Sequence, residues 1–455
     1  MPPNPMFVPD ARLEELIFAY CRGRLREPVP LDLPGDKADL DAALDGLITP
    51  SGNDPDKVLH LFAERLAPAV ISCDSPRFLS FIPAAPTKAS LLFDMVVSAS
   101  SLQGTSWLEA AGAVAPENQV LRFLADAAGL PDSAGGCFVS GGSAGNLSAL
   151  VVARDVAVHH RGEAFAGGRR PRVVVSDQAH SSIAKALHVT GMEALVVPTA
   201  DHRLTGAAVQ AAVEADGDPA TLVAVVATAG TTNAGIVDDL AGVGAIARAR
   251  TLWFHVDGAY GGAGLLAPSV RDLFAGVEQA DSLIVDPHKW LFAPFDCAAL
   301  IYRQPQQARA VFTQDATYLD VIHTGQPDEW NPSDYAYHLT RRARGLPLWF
   351  SLAVHGTDAY RDAVEAAIEL ARRSAALIAE HPHLELLRPP GLSVVLFRRK
   401  GWADGDYQRW SAQLLADQVA FVTPTGWEGE TVARLCFLHP HTTLDMVQEV
   451  FESMR

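Results

Sequence analysis

Ser282-Leu-Ile-Val-Asp-Pro-His-Lys-Trp-Leu291 is a short apolar run halted by Asp286-Pro287 and followed at once by His288, Lys289 and Trp290. With Ala280 ahead of it, the run has the length and bias of a buried strand. Pro287 stops it, because proline fixes φ and donates no backbone hydrogen bond. A lysine then sits at a strand exit between an imidazole and an indole, an odd place for a solvated cation, since lysines are seldom fully buried unless paired. Two readings stand side by side. Lys289 either snorkels to water or is a partly desolvated amine nucleophile able to form a Schiff base with a carbonyl compound.

Working outward, the pattern from residue 136 alternates strands and helices. Strands are expected at Cys137–Ser140, Arg172–Ser176, Ala194–Pro198, Leu222–Thr228, Leu252–Val256, Ser282–Val285 and Ala298–Tyr302, with helices over 144–159, 181–190, 206–215 and 238–249. Apolar strands alternating with helices predict an α/β fold with a mostly parallel seven-stranded sheet covered on both faces. Upstream, helical periodicity over about 10–72 predicts an arm with little core of its own. Helices over 89–102 and 108–128 follow it. Downstream, 312–340 is polar, rich in Gly, Pro and Asp, and reads as a lid or binding loop. A helix over 345–380 leads to a smaller α+β unit with strands near 392–398, 420–423 and 432–437 and helices near 406–418 and 443–454. The expected domains are an N-terminal helical arm (1–85), a large α/β domain (86–345) and a small C-terminal domain (346–455).

At 455 residues the chain exceeds one simple core. Its net charge of −17 argues against nucleic acid or an anionic membrane as a partner. Five scattered cysteines without CxxC spacing suggest reduced thiols rather than a disulfide frame or zinc site. No signal peptide or membrane-length apolar stretch is visible, so the chain reads as cytoplasmic.

The residues with chemistry gather just after the strands, where open α/β sheets bind ligands. Phe138-Val-Ser-Gly-Gly-Ser-Ala-Gly-Asn-Leu147 is a strand, a glycine turn and a helix start, suited to a phosphate through backbone N–H groups and the helix dipole. It lacks the Walker lysine. It does match G-x-S-x-G at Gly141-Gly-Ser143-Ala-Gly145, the nucleophile elbow of a serine hydrolase, so Ser143 is a rival centre. Asp257, in Phe254-His-Val-Asp-Gly-Ala-Tyr-Gly-Gly262, could complete a hydrolase triad, bind metal with His255 on the same strand face, or pair with a ring nitrogen. No third ligand is evident, so no metal is expected. His180, in Asp177-Gln-Ala-His-Ser-Ser182, stands at another exit.

Together these loops resemble the group II pyridoxal-phosphate (PLP) decarboxylases, the family of aromatic-L-amino-acid, histidine and glutamate decarboxylases. The resemblance runs from about Ser75 to the C-terminus. Its motifs are Ser75-Pro-Arg-Phe, Ser140-Gly-Gly-Ser-Ala-Gly-Asn-Leu, Ser176-Asp-Gln-Ala-His-Ser-Ser, Thr228-Ala-Gly-Thr-Thr, His255-Val-Asp-Gly-Ala-Tyr, Asp286-Pro-His-Lys-Trp-Leu and Arg341-Arg-Ala-Arg-Gly-Leu. It implies the fold type I, PLP-dependent transferase-like architecture and pyridoxal 5'-phosphate bound through Lys289. Asp257 would pair with the pyridinium nitrogen, and His180 would stack on the ring near the substrate carboxylate. Gly142, Ser143 and Asp286, with His288 close by, would surround the phosphate, and Thr228 and Ala259 would line the ring edge. The implied reaction is decarboxylation of an L-amino acid by a homodimer whose sites lie between subunits and whose arms swap.

The pattern departs from that family in two places. Relatives place a proton-donating tyrosine in the loop before the Arg-Arg pair. Counted without gaps from Tyr318-Leu319, that place falls on Pro332, with Trp330, Tyr335 and Tyr337 nearby. If no tyrosine serves, the carbanion can meet O₂, and the product becomes an aldehyde, as in the family's aldehyde synthases. Phe78–Pro83 and Gln103–Trp107 are expected to line the substrate pocket. Cys73, Ala84 and Thr105 stand where aromatic-specific relatives are richer in aromatics, although Phe78, Phe81 and Trp107 favour an aromatic substrate unless they are core.

Overall fold

A computed structural model describes residues 4–82, 85–314, 321–322 and 329–455. Pro83, Ala84, Tyr318 and Leu319, and with them much of the expected lid, lie outside the described residues. The arm holds α1 (Ala11–Arg26), α2 (Lys37–Leu44) and α3 (Pro55–Leu61). Asp10, Asp36 and Asp54 cap them by accepting backbone N–H bonds that the first turn leaves unpaired. None of the three buries a residue, and Leu13, Ile17 and Phe18 of α1 are at least 40% exposed. The expected apolar face exists, and within this chain only its Tyr20 end is covered, edge-on against Phe62 at 5.7 Å, among the described residues.

After α4 (Lys88–Ala99) and α5 (Trp107–Ala127) come β1 (Gly135–Val139), β2 (Arg172–Ser176), β3 (Glu193–Val197), β4 (Leu222–Thr228), β5 (Trp253–Asp257), β6 (Ser282–Val285) and β7 (Ala298–Tyr302). They form one sheet in the order β1-β7-β6-β5-β4-β2-β3, parallel except for the pairings made by β7. The sequence places these strands to within a residue or two. Between them run α6 (Gly142–His160), α7 (Ser181–Thr190), α8 (Gly206–Ala215) and α9 (Leu240–Ala249). Val225 and Ala227 of β4 enter one core, while Ala224 and Val226 enter the core on the opposite face. Both faces are therefore covered, as the unbroken apolar runs require. Register aligns Thr228 with Asp257 and Asp257 with Ile284, so three neighbouring strands end at one level.

Past β6, Pro287 occupies the first turn of α10 (Pro287–Trp290), where its missing N–H costs nothing. Then come α11 (Pro305–Phe312) and α12 (Leu346–Glu380). The span expected as a single helix is broken at Gly356, whose φ of 77° only glycine adopts without strain. The small unit has β8 (Leu384–Leu386), β9 (Val394–Arg399), β10 (Thr425–Trp427) and β11 (Glu430–Cys436) in an antiparallel sheet ordered β10-β11-β9-β8, with α13 (Asp404–Ala416) and α14 (Leu444–Glu452). The expected strand at 420–423 is not there. Phe421 makes only an isolated bridge to Phe78, and Pro424, lacking an N–H, postpones the ladder to Thr425. No helix among the described residues is long and apolar enough to cross a membrane.

One buried ion pair ties the layers together. Arg341 donates to Glu117 at 2.7 and 2.8 Å, with both side chains almost wholly inaccessible. Arg341 also donates to the Gly104 carbonyl, and Glu117 accepts from the Gly345 amide. Removing one partner strands the other charge in the interior, so Arg341→Met is expected to cost about 3–5 kcal/mol, while Arg341→Met with Glu117→Leu recovers part of it. Denaturant midpoints check this, and an unchanged midpoint in the single variant contradicts it.

Candidate active site

The exits of β1, β2, β4, β5 and β6 meet at a cavity of about 540 Å³. Gly142, Ser143, His180, Thr228, Asp257, Ala259, Asp286, His288 and Lys289 all line it, together with Asn146, Ser182, Tyr260 and Phe295.

At one end, Lys289 Nζ lies 2.9 Å from Asp286 Oδ2, which also accepts the Gly142 amide at 3.1 Å. Burial works to lower the Lys289 pKa, but the charge and hydrogen bond of Asp286, with the charge of Asp257, outweigh it and leave it raised. The free site therefore stores the lysine as an ammonium. Asp286 Oδ1 is buried without a hydrogen-bond partner among the described residues. Gly142 passes so close that an added Cβ would stand 2.9 Å from Asp286 Oδ2 and 3.0 Å from Ala259 Cβ. Here α6 begins, and its N-cap, Gly141, has no side chain to satisfy the first amides. His288 is turned so that Nδ1 accepts from the Cys297 amide at 3.0 Å, with Nε2 3.7 Å from Asp286 Oδ2.

At the other end, Asp257 is buried at the tip of β5. Its Oδ1 accepts the Ala259 amide at 3.1 Å and its Oδ2 accepts Asn146 Nδ2 at 2.9 Å. His255 shares that strand face, as alternation requires, and contacts Asn146 Oδ1 through Nε2 at 2.8 Å. Asn146 Nδ2 also reaches Ser182 Oγ at 2.9 Å, and Ser182 Oγ lies 2.8 Å from His180 Nδ1. His180 caps α7, its Nδ1 accepting the Ser182 amide. Thr228 is fixed by its own amide, which donates to the buried Asp238 at 2.7 Å.

Asn146 and Ser182 carry no role in the sequence reading. The signal for Asn146 was a polar residue on the same helical stripe as Gly142, Ala149 and Ala153, the stripe that packs on the sheet.

These contacts dispose of Ser143 as a hydrolase nucleophile. An imidazole Nδ1 that accepts an amide N–H carries its neutral-ring proton on Nε2, and an Nε2–H cannot act as a general base. Both His180 and His288 are so arranged. Tyr335, Tyr337 and Pro332 line no part of this cavity. Tyr335 is buried, stacked on Trp330 at 4.1 Å, and Tyr337 is exposed. Among the described residues of 78–83 and 103–107, none lines it either. Phe78 is core, packed on Phe421 at 4.9 Å, Trp107 packs beside Val97 and Leu346, and Phe81 is 59% exposed.

The residues present suit pyridoxal phosphate: a lysine amine, a helix start whose N-cap Gly141 carries no side chain, and a buried carboxylate at the tip of β5. Comparison with known proteins agrees. Residues 40–400 match the Pyridoxal-dependent decarboxylase conserved domain. The chain belongs to that family. It is 31% identical to the aromatic-L-amino-acid decarboxylase of Bacillus atrophaeus over 420 residues, 90% of this chain and 86% of that protein. It is 32% identical over 375 residues to the L-2,4-diaminobutyrate decarboxylase of Rhizobium meliloti (strain 1021), covering 80% and 74%. The crystal structure of Oryza sativa TDC with PLP and tryptamine superposes with a TM-score of 0.91 at 25% identity, covering 100% of this chain and 98% of that one. The protein is thus a PLP-dependent carboxy-lyase of amino acids with the fold of its family.

His255 gives this decarboxylase a measurable acid sensitivity. Burial, partly offset by the charge of Asp257, lowers its pKa to about 4 from an ordinary 6.5. The unfolded chain binds this proton more readily, so the contribution is complete above about pH 6.5 and is lost as pH falls towards 4, by up to about 3 kcal/mol. His255→Gln keeps a donor for Asn146 and removes the titration, so its stability should fall less steeply than wild type between pH 7 and 4.5. Parallel curves would contradict this.

Proposed function

We propose that the protein decarboxylates an aromatic L-amino acid, with Lys289 carrying the cofactor, Asp257 facing its ring nitrogen and His180 lying over the ring beside the substrate carboxylate. The observation that carries this reading is that Lys289, Asp257 and His180 arrive from three different strand exits and surround one cavity. Bound pyridoxal phosphate supplies an electron sink for the pair left on Cα as CO₂ departs. Asp257, ionised and held by two donors, keeps a proton on the ring nitrogen. His180, whose Nδ1 accepts the Ser182 amide, presents its Nε2 edge to orient the departing carboxylate. Gly142 and Ser143, at the start of α6, hold the phosphate, with Asp286 and His288 close by, and Thr228 and Ala259 line the ring edge. Lys289 must shed its proton before its amine can bond, so cofactor uptake should quicken with rising pH. Phe295, 60% exposed against the cavity, offers a flat surface for an aromatic side chain. A side-chain ammonium on the substrate would meet only Asp286 Oδ1 as a spare carboxylate oxygen among the described lining residues, since Asp257 is held by Ala259 and Asn146 and Asp286 Oδ2 by Lys289 and Gly142.

The reading includes a cytoplasmic homodimer in which the N-terminal arm, about residues 1–72, swaps across the two copies and the sites lie between subunits. It is supported by the exposed apolar face of the arm and by Leu92, Val96, Leu108 and Val354, each at least 50% exposed. The stretches at 78–82 and 103–107 then line the partner's pocket. A sizing measurement that finds a fully active monomer would sink that part.

Tyr335's commitment to the core favours a second outcome, in which the carbanion meets O₂ and the product is an aldehyde. A panel of L-amino acids scored for CO₂, amine, aldehyde and peroxide separates the two. The first reading expects CO₂ from aromatic substrates with matching amine, and none from Lys289→Ala. Aldehyde and peroxide matching CO₂ establish the second, and no CO₂ from any amino acid refutes both.

A further inference from the structure

Phe81 combines a strained backbone with a bare ring. Its φ of 50° lies in the left-handed region that bulky residues avoid, and the side chain is 59% exposed. Just before it, the chain is pinned to the small unit. Leu79 donates to the Phe421 carbonyl and accepts from the Cys436 amide, each at 3.0 Å, and Ser80 Oγ lies 3.0 Å from Thr423 Oγ1. At Phe81 these ties end, and its carbonyl accepts from Arg434 Nη1 at 2.9 Å, its one hydrogen bond among the described residues. Arg434 Nη2 donates in turn to the Thr232 carbonyl at 2.5 Å. Thr232 lines the cofactor cavity, and its loop closes on itself, the Thr231 amide reaching the Ile236 carbonyl and the Gly235 amide the Thr231 carbonyl, each at 2.8 Å. The Thr232 carbonyl is therefore a fixed post, and Phe81 is the end that Arg434 restrains.

Arg434 itself belongs to β11, is 5% exposed and forms no ion pair among the described residues. A lone buried charge is costly, and packing alone would favour an apolar residue there. What the guanidinium adds is a rigid fork, with two donors aimed at two separate stretches of chain. We propose that Arg434 is a positioning residue that acts across the subunit boundary. Anchored on Thr232 in the wall of its own cavity, it holds Phe81 in the conformation that presents the ring to the partner's substrate pocket. This deepens the dimer reading above, on which it rests, by naming the group that sets the pocket's aromatic wall. Without the fork, Phe81 is free to leave its left-handed conformation, and the ring turns away from the substrate.

Mixed dimers of full-length, PLP-loaded chains test this, because Lys289→Ala silences one site of a pair. In the first, a wild-type subunit is paired with one carrying both Lys289→Ala and Arg434→Met. The working site then takes Phe81 from the altered subunit. Its KM for L-tryptophan or L-tyrosine, whichever is turned over faster, should rise about tenfold, the scale of one hydrogen bond to a charged group. In the second, a Lys289→Ala subunit is paired with an Arg434→Met subunit. Here the working site receives Phe81 from a chain with Arg434 intact, and its KM should match that of a wild-type and Lys289→Ala pair. A general loss of structure would not divide in this way between the two pairs. Should Arg434→Met fail to fold, Arg434→Lys takes its place, since a single ammonium lacks the fork that spans both carbonyls. A rise shared by both pairs, confined to the second, or absent from both overturns the proposal. A monomer on sizing, or a wild type that releases no CO₂ from either amino acid, refutes instead the reading beneath it.

Discussion

A carboxylate at the tip of a strand buried on both faces is the constraint around which this protein is arranged. Asp257 ends β5, the central strand of the sheet, and is only 5% exposed, so water can solvate little of its charge. An ionised group there survives only if donors surround it. The chain supplies two, the Ala259 amide and Asn146, and leaves the remaining edge of the carboxylate to the cavity. In the proposed reading, a protonated ring nitrogen is the partner that completes such a set.

The opposite end of the cavity answers that arrangement with the reverse polarity. An uncapped helix start and a lysine ammonium would by themselves draw any anion, and Asp286 occupies them until one arrives. Close packing makes this possible. α6 lies against β6 so tightly that a Cβ at Gly145 would stand 2.3 Å from Ile284 Cδ1, and that approach brings Gly142 onto Asp286. The distance between an anion-binding end and a cation-binding end is therefore set by sheet geometry rather than by loops.

Much of this could be read from residues in order. The seven strands announce themselves because burial on both faces demands unbroken apolar runs, and the reactive residues follow because they stand at or just past the end of each run. What stayed hidden depends on separation in sequence. Asn146 reaches Ser182 and Asp257 across 36 and 111 residues, and Arg341 reaches Glu117 across 224, distances over which no periodicity operates. Sequence leaves open whether Tyr335, Tyr337 or neither serves as the loop acid, because counting along the chain takes no account of the stacking of Tyr335 on Trp330, and the break at Gly356 is likewise a backbone choice that helical periodicity passes over.

The account stands on Lys289 as the amine that bears the cofactor. Borohydride reduction of the PLP-loaded enzyme, followed by peptide mapping with mass spectrometry, reads that attachment directly. The pyridoxyl mass should appear on the peptide containing Lys289 and on no other. A label on a different lysine, such as Lys88 or Lys185, or none at all on a protein that still releases CO₂ from an amino acid, would contradict it.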